Sequence, residues 1–493
     1  MANQQLALFE RHDSGSSVEE LAHPSGYVGL QAFHKYWGKK PLEPLLFLID
    51  HLSEPGGLVV DPFVGSGSSG VAATRLHRKF IGIDLNPVAV RLSTLLVSPP
   101  PVDDIKIAFR QLETIAKSPI LATYHCPLIG RAITHYLWEG NKLRDMWVMG
   151  RGTGRREVAP SELDRTLAAN YEGYESTRIR KPRFFTNSRI NAVASMTLTD
   201  VFTGRAVHNI DVLLSAIDAV PARSRPAMLL ALTAAAGQMS KMVFAITGRG
   251  KKEGRSQSNT EVGSWVIGFW RPNVHFEVNV WNCLEIRVRK LIRALEELEE
   301  QERVSVGNID AVLTGKAQCA LVTGDALAVL DVIPDGSADL VLTDPPHSDR
   351  EPYLELSEIW NCILGADVDF ASEVVVSNAK ERHKTRTEYV VRMRKLLDQG
   401  SRKLTPTGSL ALMFNARDKS SWEVVQELEG ATQSGLTYLG CFPLRYSATS
   451  VVQDNRKGAL KTDYVLVYSR STSVIPQLTG IGGWNTSMPR LRE

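Results

Sequence analysis

Between Leu58 and Ile83 a short apolar run, a glycine-rich turn, an alanine-rich stretch and a second apolar run follow in that order, and few architectures accept it. Leu58 to Val64 is β-rich, a Gly/Ser turn follows, Gly70 to Leu76 has helical composition, and Phe80 to Ile83 forms the next strand. Asn86-Pro87 opens another helix. Strand, turn, helix, strand is the repeating unit of a parallel α/β sheet. Upstream, Pro41 to Leu52 carries leucines at helical spacing and is stopped by Glu54-Pro55-Gly56-Gly57.

The rhythm returns at Ala320 to Thr323, Ala338 to Thr343 and Ser409 to Phe414, with a final strand at Tyr464 to Tyr468. Residues 102 to 305 break it, with basic Gly-rich loops (149–156 and 248–255) and a helical stretch from Leu284 to Glu302. The reading is one sheet split by an insertion. Residues 1–25 are a flexible lead-in, 26–101 and 306–475 the two halves of the sheet domain, 102–305 the inserted region, and 476–493 a tail.

Composition narrows the class. The 493 residues are 43% hydrophobic and 23% charged, which suits a globular chain of two or three domains. Lys+Arg number 57 against 54 Asp+Glu, so any nucleic-acid footprint must be local. No apolar run reaches the roughly 18 residues that span a bilayer, and the N-terminus lacks a signal-peptide core. The five cysteines are scattered without a CxxC pair, so no metal site and no disulfide framework is expected, and a cytoplasmic location is.

Two constellations carry chemistry. In Asp61-Pro-Phe-Val-Gly-Ser-Gly-Ser-Ser-Gly70 the glycines let backbone approach a ligand closely, and Asp84 ends the next strand, where an acid can accept bonds from ribose hydroxyls. By itself the turn could be an ordinary tight one. It lacks the Lys-Ser/Thr of a phosphate-cradling loop. The second constellation is Thr343-Asp344-Pro345-Pro346-His347, just beyond an apolar strand, where open α/β sheets bind ligands. Two prolines fix the backbone and leave only carbonyl acceptors beside Asp344, a setting that suits an amine substrate.

These motifs resemble those of the S-adenosylmethionine-dependent DNA amino-methyltransferases. DPFVGSGSSG with GIDLNP is similar to the family's cofactor motif and following acidic motif, and TDPPH to its catalytic motif, where Tyr, Phe or Trp is commoner than His347. His34-Lys-Tyr-Trp-Gly-Lys-Lys-Pro41 resembles the segment that helps hold the methionine end of the cofactor, and Gly324-Asp325-Ala326 the strand-end acid preceding the catalytic motif.

The resemblance implies a Rossmann-like, doubly wound methyltransferase sheet split by a large target-recognition region. It implies S-adenosylmethionine held by Lys35, Tyr36, Trp37, Asp61, Pro62, Phe63, Gly65, Gly67, Asp84, Asn86 and Asp325. Asp344 and the Pro345 carbonyl would accept the two N–H bonds of an exocyclic amine, Pro346 would complete the rigid turn, and His347 would stack on the flipped-out base. Adenine N6 is favoured; cytosine N4, an RNA base, or a silent DNA-binding subunit are the alternatives. The partner implied is double-stranded DNA in the nucleoid, with an accompanying restriction or phage-defence system, and no membrane.

The expected recognition region can be weighed on its residues. From Lys142 to Arg189 there are eleven Lys/Arg against six Asp/Glu, interleaved with aromatics. Arg178, Arg180, Lys181 and Arg183 form the densest cluster, and Lys251 and Lys252 lie in a second basic loop. Such a run is either a phosphate-binding face or simply solvated; a DNA substrate favours the former.

Overall fold

The computed structural model describes residues 27–149, 155–246, 251–252, 255–256, 260–265, 268–298, 304–416, 418–429, 435–444, 463–471, 476–479, 481 and 483–489. The expected lead-in at 1–25 and most of both basic Gly-rich loops lie outside the described residues.

Eight strands form the central sheet: β1 (Leu58–Asp61), β2 (Lys79–Asp84), β3 (Val306–Gly307), β4 (Cys319–Thr323), β5 (Ala338–Thr343), β6 (Leu404–Phe414), β7 (Thr437–Leu444) and β8 (Asp463–Ser469). Their spatial order is β3-β4-β2-β1-β5-β6-β8-β7. The six strands from β3 to β6 run parallel, with Val60 opposite both Ile81 and Val341; β8 and β7 turn antiparallel at the edge.

The parallel strands read as continuous apolar runs because both of their faces are covered. Val59 and Leu340 face a layer that includes α1 (Leu42–Leu52) and α3 (Pro87–Val97), whereas Val60 and Val341 face the opposite layer with α4 (Ala326–Asp331) and α6 (Arg386–Lys403).

The first βαβ unit forms where the sequence places it. β1 ends at Asp61, three residues earlier than expected, because Pro62 cannot donate to a ladder. α2 (Ser68–Arg75) starts behind Gly67, whose φ of +90° favours glycine. A Cβ there would also meet Ser93 Cα at 2.6 Å, so the turn and α3 are packed backbone to backbone.

From β1 the chain lays β2 beside it, then places β3 at the edge and β4 between β3 and β2, and finally crosses to lay β5 on the other side of β1. This reversal opens a crevice at the carboxyl ends of β1 and β5. Both constellations lie there.

Among the described residues, those of 102–298 add no strand to the central sheet. They fold as a four-stranded antiparallel sheet (Val274–Val278, His135–Glu139, Lys142–Met149 and Arg155–Val158 in spatial order) with helices Val102–Leu112, Gly204–Ala219, Arg225–Ala236 and Val280–Glu296. The last of these replaces the expected 284–302, its start set by Asn279, whose side chain caps Trp281 and Asn282 N–H. Leu213, Leu230 and Leu284 share one apolar cluster with Leu92, Leu340 and Trp360 of the sheet layers, so this region has no separate core. Among the described residues no helix is long and apolar enough to cross a membrane.

Candidate active site

The turn after β1 is tied inward by carboxylates. Phe63 N–H (3.0 Å) and Thr343 Oγ1–H (3.0 Å) donate to Asp61 Oδ1, and Ser69 Oγ–H (2.6 Å) to Oδ2. Burial pushes the Asp61 carboxyl up to about 7 against the pull of those three bonds. Asp84 accepts from Gly65 N–H (2.9 Å) and Asn86 N–H (2.8 Å), and burial raises it to about 6. Each bond uses one lone pair of an oxygen, so both oxygens can still accept hydroxyls. Asn86 locks the start of α3 to Tyr36, Ser357 and Asn361.

These groups line one cavity of about 890 Å³, measured with its open mouth. Of the residues expected to hold a cofactor, Tyr36, Trp37, Asp61, Pro62, Phe63, Gly65, Asp84, Asn86 and Asp325 line it. Lys35 does not: its ammonium sits 4.5 Å from the centre of the Trp265 ring. Gly67 does not either; it shapes the turn from behind. Asp325 caps α4 and pairs with Arg392 of α6 at 2.9 and 3.0 Å. Trp37 stacks on Trp360 (4.8 Å, 26°), and His34, driven down to about 3 by burial, bonds Thr233 Oγ1 at 3.0 Å. The segment before α1 is thereby pinned against the inserted region.

Asp344 faces the same cavity from the end of β5. Its Oδ2 is paired with Lys40 Nζ. Its Oδ1 is buried, lies 3.1 Å from His347 Nε2, and accepts no well-aligned hydrogen bond among the described residues. Lys40 also reaches Asp463 at 3.7 Å; Asp463 in turn holds Arg350 (3.2 Å) and Asn415 (2.9 Å). Burial alone would raise the Asp463 carboxyl, but Lys40, His347 and Arg350 outweigh it and hold it well below the usual carboxylate range.

His347 is not the stacking platform expected from the sequence. It is 7% exposed and does not line the cavity. Arg350 Nη1, which can only donate, lies 2.9 Å from Nδ1, so a neutral ring carries its proton on Nε2, directed at the Met413 carbonyl (3.4 Å). The ring meets Phe414 edge-on at 5.6 Å. It braces Asp344 from behind. The aromatic walls are instead Tyr36, Phe63 and Tyr353, with Tyr36 and Tyr353 stacked at 6.2 Å. Pro345 is buried, and the Pro346 carbonyl accepts Tyr389 Oη–H at 2.7 Å.

The basic cluster divides. Arg180 clasps both carboxylate oxygens of Glu358, at 3.0 and 3.1 Å, and Glu358 is fully buried. Arg178 pairs with Asp218. Lys181 and Arg183 are exposed, with Arg183 lying over the Phe185 ring at 5.1 Å. Lys251 and Lys252 sit in a two-stranded ribbon with Arg255 and Ser256, and their side chains lie outside the described residues.

Sequence reading passed over Lys40 as an individual residue, and over Glu373, Arg392 and Asp463. Only Lys40 carried a local signal, being inside the His34–Pro41 segment. Arg382 is buried between Glu355 and Glu373, each at 2.7 Å.

Residues 11–95 match the N6/N4 methyltransferase family model, described as a DNA methylase. Over 54 residues the chain is 44% identical to the Type II methyltransferase M2.DpnII of Streptococcus pneumoniae and 43% identical to the Type II methyltransferase M2.LlaDCHI of Lactococcus lactis subsp. cremoris. Each match covers 10% of this chain and 20% of the relative. A putative methylase of Escherichia coli K12, YubD, is 47% identical over 47 residues, 10% of this chain and 21% of that protein. The chain thus spans about a fifth of the length of the curated relatives it matches.

Proposed function

We propose that this chain, whose residues 11–95 match the N6/N4 methyltransferase family model, is a DNA methylase of that kind and transfers a methyl group from S-adenosylmethionine to the exocyclic amine of a base flipped out of double-stranded DNA, with adenine N6 the favoured target. One observation carries the reading: Asp344 at the end of β5 faces Asp61 and Asp84, at the ends of β1 and β2, across a single cavity at the switch point of the sheet.

The residues present fit the cofactor. Asp84 has lone pairs for ribose hydroxyls, and Tyr36, Trp37 and Phe63 supply aromatic faces that suit a sulfonium cation. When bound, S-adenosylmethionine supplies an electrophilic methyl group. The chain supplies position and charge. Asp344 Oδ2 is the carboxylate oxygen that an amine entering the cavity can reach, because Oδ1 is buried against His347. An N–H bond to Oδ2 holds the nitrogen and favours a lone pair directed at the methyl carbon. The proton lost from nitrogen has the same oxygen as its nearest acceptor. No thiolate step is involved; all five cysteines are buried.

Nucleoside mass spectrometry on plasmid DNA from a methylase-free host tests the reading. N6-methyladenine supports it, N4-methylcytosine changes the base and keeps the mechanism, and the absence of both overturns it.

Cofactor affinity should follow the Asp84 carboxyl. Ligand hydroxyls favour its ionised form, so binding below about pH 6 must expel a proton. Affinity is then full above pH 6 and falls about tenfold per pH unit below it. Calorimetry from pH 5 to 8 checks this, and Asp84→Asn, which cannot titrate, should flatten the curve and separate it from any contribution of Asp61. A wild-type affinity constant over that range contradicts the role.

DNA is read, on this proposal, by the region 102–305, with Lys181 and Arg183 among the side chains that neutralise its phosphates. Replacing both with alanine should lower the slope of log affinity against log salt by about 1.8, at about 0.9 for each phosphate charge left without a cation. An unchanged slope returns both to solvated surface.

A further inference from the structure

We propose that Lys40 and Asp344 act as one reading edge for the target base: Asp344 accepts from the exocyclic amine while Lys40 donates to the ring nitrogen beside that amine. The inference rests on the methyl-transfer reading above and names the chemical feature that the site selects.

The two side chains meet directly on the cavity wall, an ammonium donor next to a carboxylate acceptor. Their side chains are 8% and 17% exposed, so the pair is shielded from water and its polarity is not spent on solvent. It is also held in place. Lys40 is drawn from behind by Asp463 at 3.7 Å, and Asp463 is itself fixed by Asn415 and Arg350. Asp344 is backed by His347. Two further contacts of the ammonium, the Gly38 carbonyl at 3.4 Å and Asp463 at 3.7 Å, are long, and a closer acceptor would outcompete these two.

An acceptor and a donor side by side complement a donor and an acceptor side by side. Adenine presents that edge as its N6 amine and bare N1, cytosine as its N4 amine and bare N3. Guanine also has an exocyclic amine, but on its Watson–Crick edge the neighbouring N1 carries a proton, which would point at the Lys40 ammonium and leave two donors opposed; its bare N3 lies on the other side of the amine, on the edge that carries the sugar. Thymine has no amine. The pair therefore favours the two bases whose Watson–Crick edge sets an amine beside an unprotonated ring nitrogen. A lysine that served only to neutralise Asp344 would be indifferent to the ring nitrogen.

That difference is measurable. In DNA carrying the mapped target, adenine is replaced by 1-deazaadenine, whose amine is intact and whose ring nitrogen is a C–H; for a cytosine target the probe is 3-deazacytosine. Wild type should lose about 10- to 100-fold in kcat/KM on the deaza substrate, the cost of one unmade bond from a shielded charged donor. Lys40→Met should lose a similar factor on natural DNA and show no further loss on the deaza substrate. Comparing the substrate ratio of wild type with that of Lys40→Met cancels the altered reactivity of the deaza amine, so the losses are read from that comparison. Lys40→Gln, which keeps a donor without the charge, should regain part of the discrimination, and cofactor binding by each variant reports that it is folded.

Wild type that handles both substrates equally overturns the proposal, as does Lys40→Met that keeps the full sensitivity. Failure of wild type to methylate natural DNA at all is a different result and overturns the underlying reading.

Discussion

Asp344→Ala should lower methyl transfer by about 10³-fold or more while S-adenosylmethionine affinity stays within a few-fold of wild type. The size follows from position. A group aligned to accept a proton or hydrogen bond from the reacting atom contributes typically 10²–10⁴-fold, and among the described residues no second carboxylate is placed for the role: Glu373, also on the cavity wall, is held by Arg382 at 2.7 Å and by the Leu354 N–H at 3.0 Å. Asp61 is committed to Phe63, Ser69 and Thr343, and Asp463 lies behind Lys40. Asp84 and Asp325 stand at the ends of β2 and β4, on the far side of β1 from β5.

The cofactor should be little affected, since the turn bonds of Asp61 and Asp84 do not pass through Asp344. Only the Lys40 ammonium loses its partner, and Asp463 remains beside it. Single-turnover transfer of a labelled methyl group, with calorimetry for the cofactor, separates the two effects. A variant that keeps more than a few per cent of the wild-type rate would remove Asp344 from the chemistry.

What could be read in the sequence was local. The run from Leu58 to Asp84 forms its strand, turn, helix and strand from residues that are neighbours in the chain, and the need for glycine at position 67 follows from its own φ. Acids after strands were legible for a related reason: a parallel sheet delivers all its carboxyl ends to one edge, so Asp61, Asp84, Asp325 and Asp344 had to come together. What could not be read was pairing at long range. Asp463 opens the final strand with nothing nearby to mark it, yet it anchors Lys40 from the other end of the chain. His347 illustrates the limit from the opposite side. The motif suggested an exposed ring, but Arg350, three residues on, and the Met413 carbonyl take its two nitrogens and turn it inward.

The basic cluster of the inserted region divides for the same physical reason, and one of its members should behave unlike the rest. Arg180→Ala should destabilise the fold by about 3 kcal/mol and leave the salt dependence of DNA binding unchanged. In sequence Arg180 is one cation among four. In the structure its guanidinium spans Glu358, a carboxylate with no exposure, and its Nε donates to the Ala366 carbonyl at 2.9 Å. Removing one partner of a buried ion pair costs about 3–5 kcal/mol, because the other charge is left in a medium that cannot solvate it.

The lower end of that range applies here. The Arg180 side chain is 24% exposed, and Glu358 keeps the Arg183 N–H at 2.6 Å. Arg180→Lys should recover little, since a point charge cannot replace the two-pronged contact. Because Glu358 belongs to the helix Tyr353–Ile363, which begins six residues after the Asp344–His347 turn, the contact also fastens the inserted region to the element behind the catalytic motif. Urea unfolding and a salt titration of DNA affinity together decide the matter. A loss of stability under about 1 kcal/mol, joined to a salt slope shallower by about 0.9, would make Arg180 a phosphate contact after all.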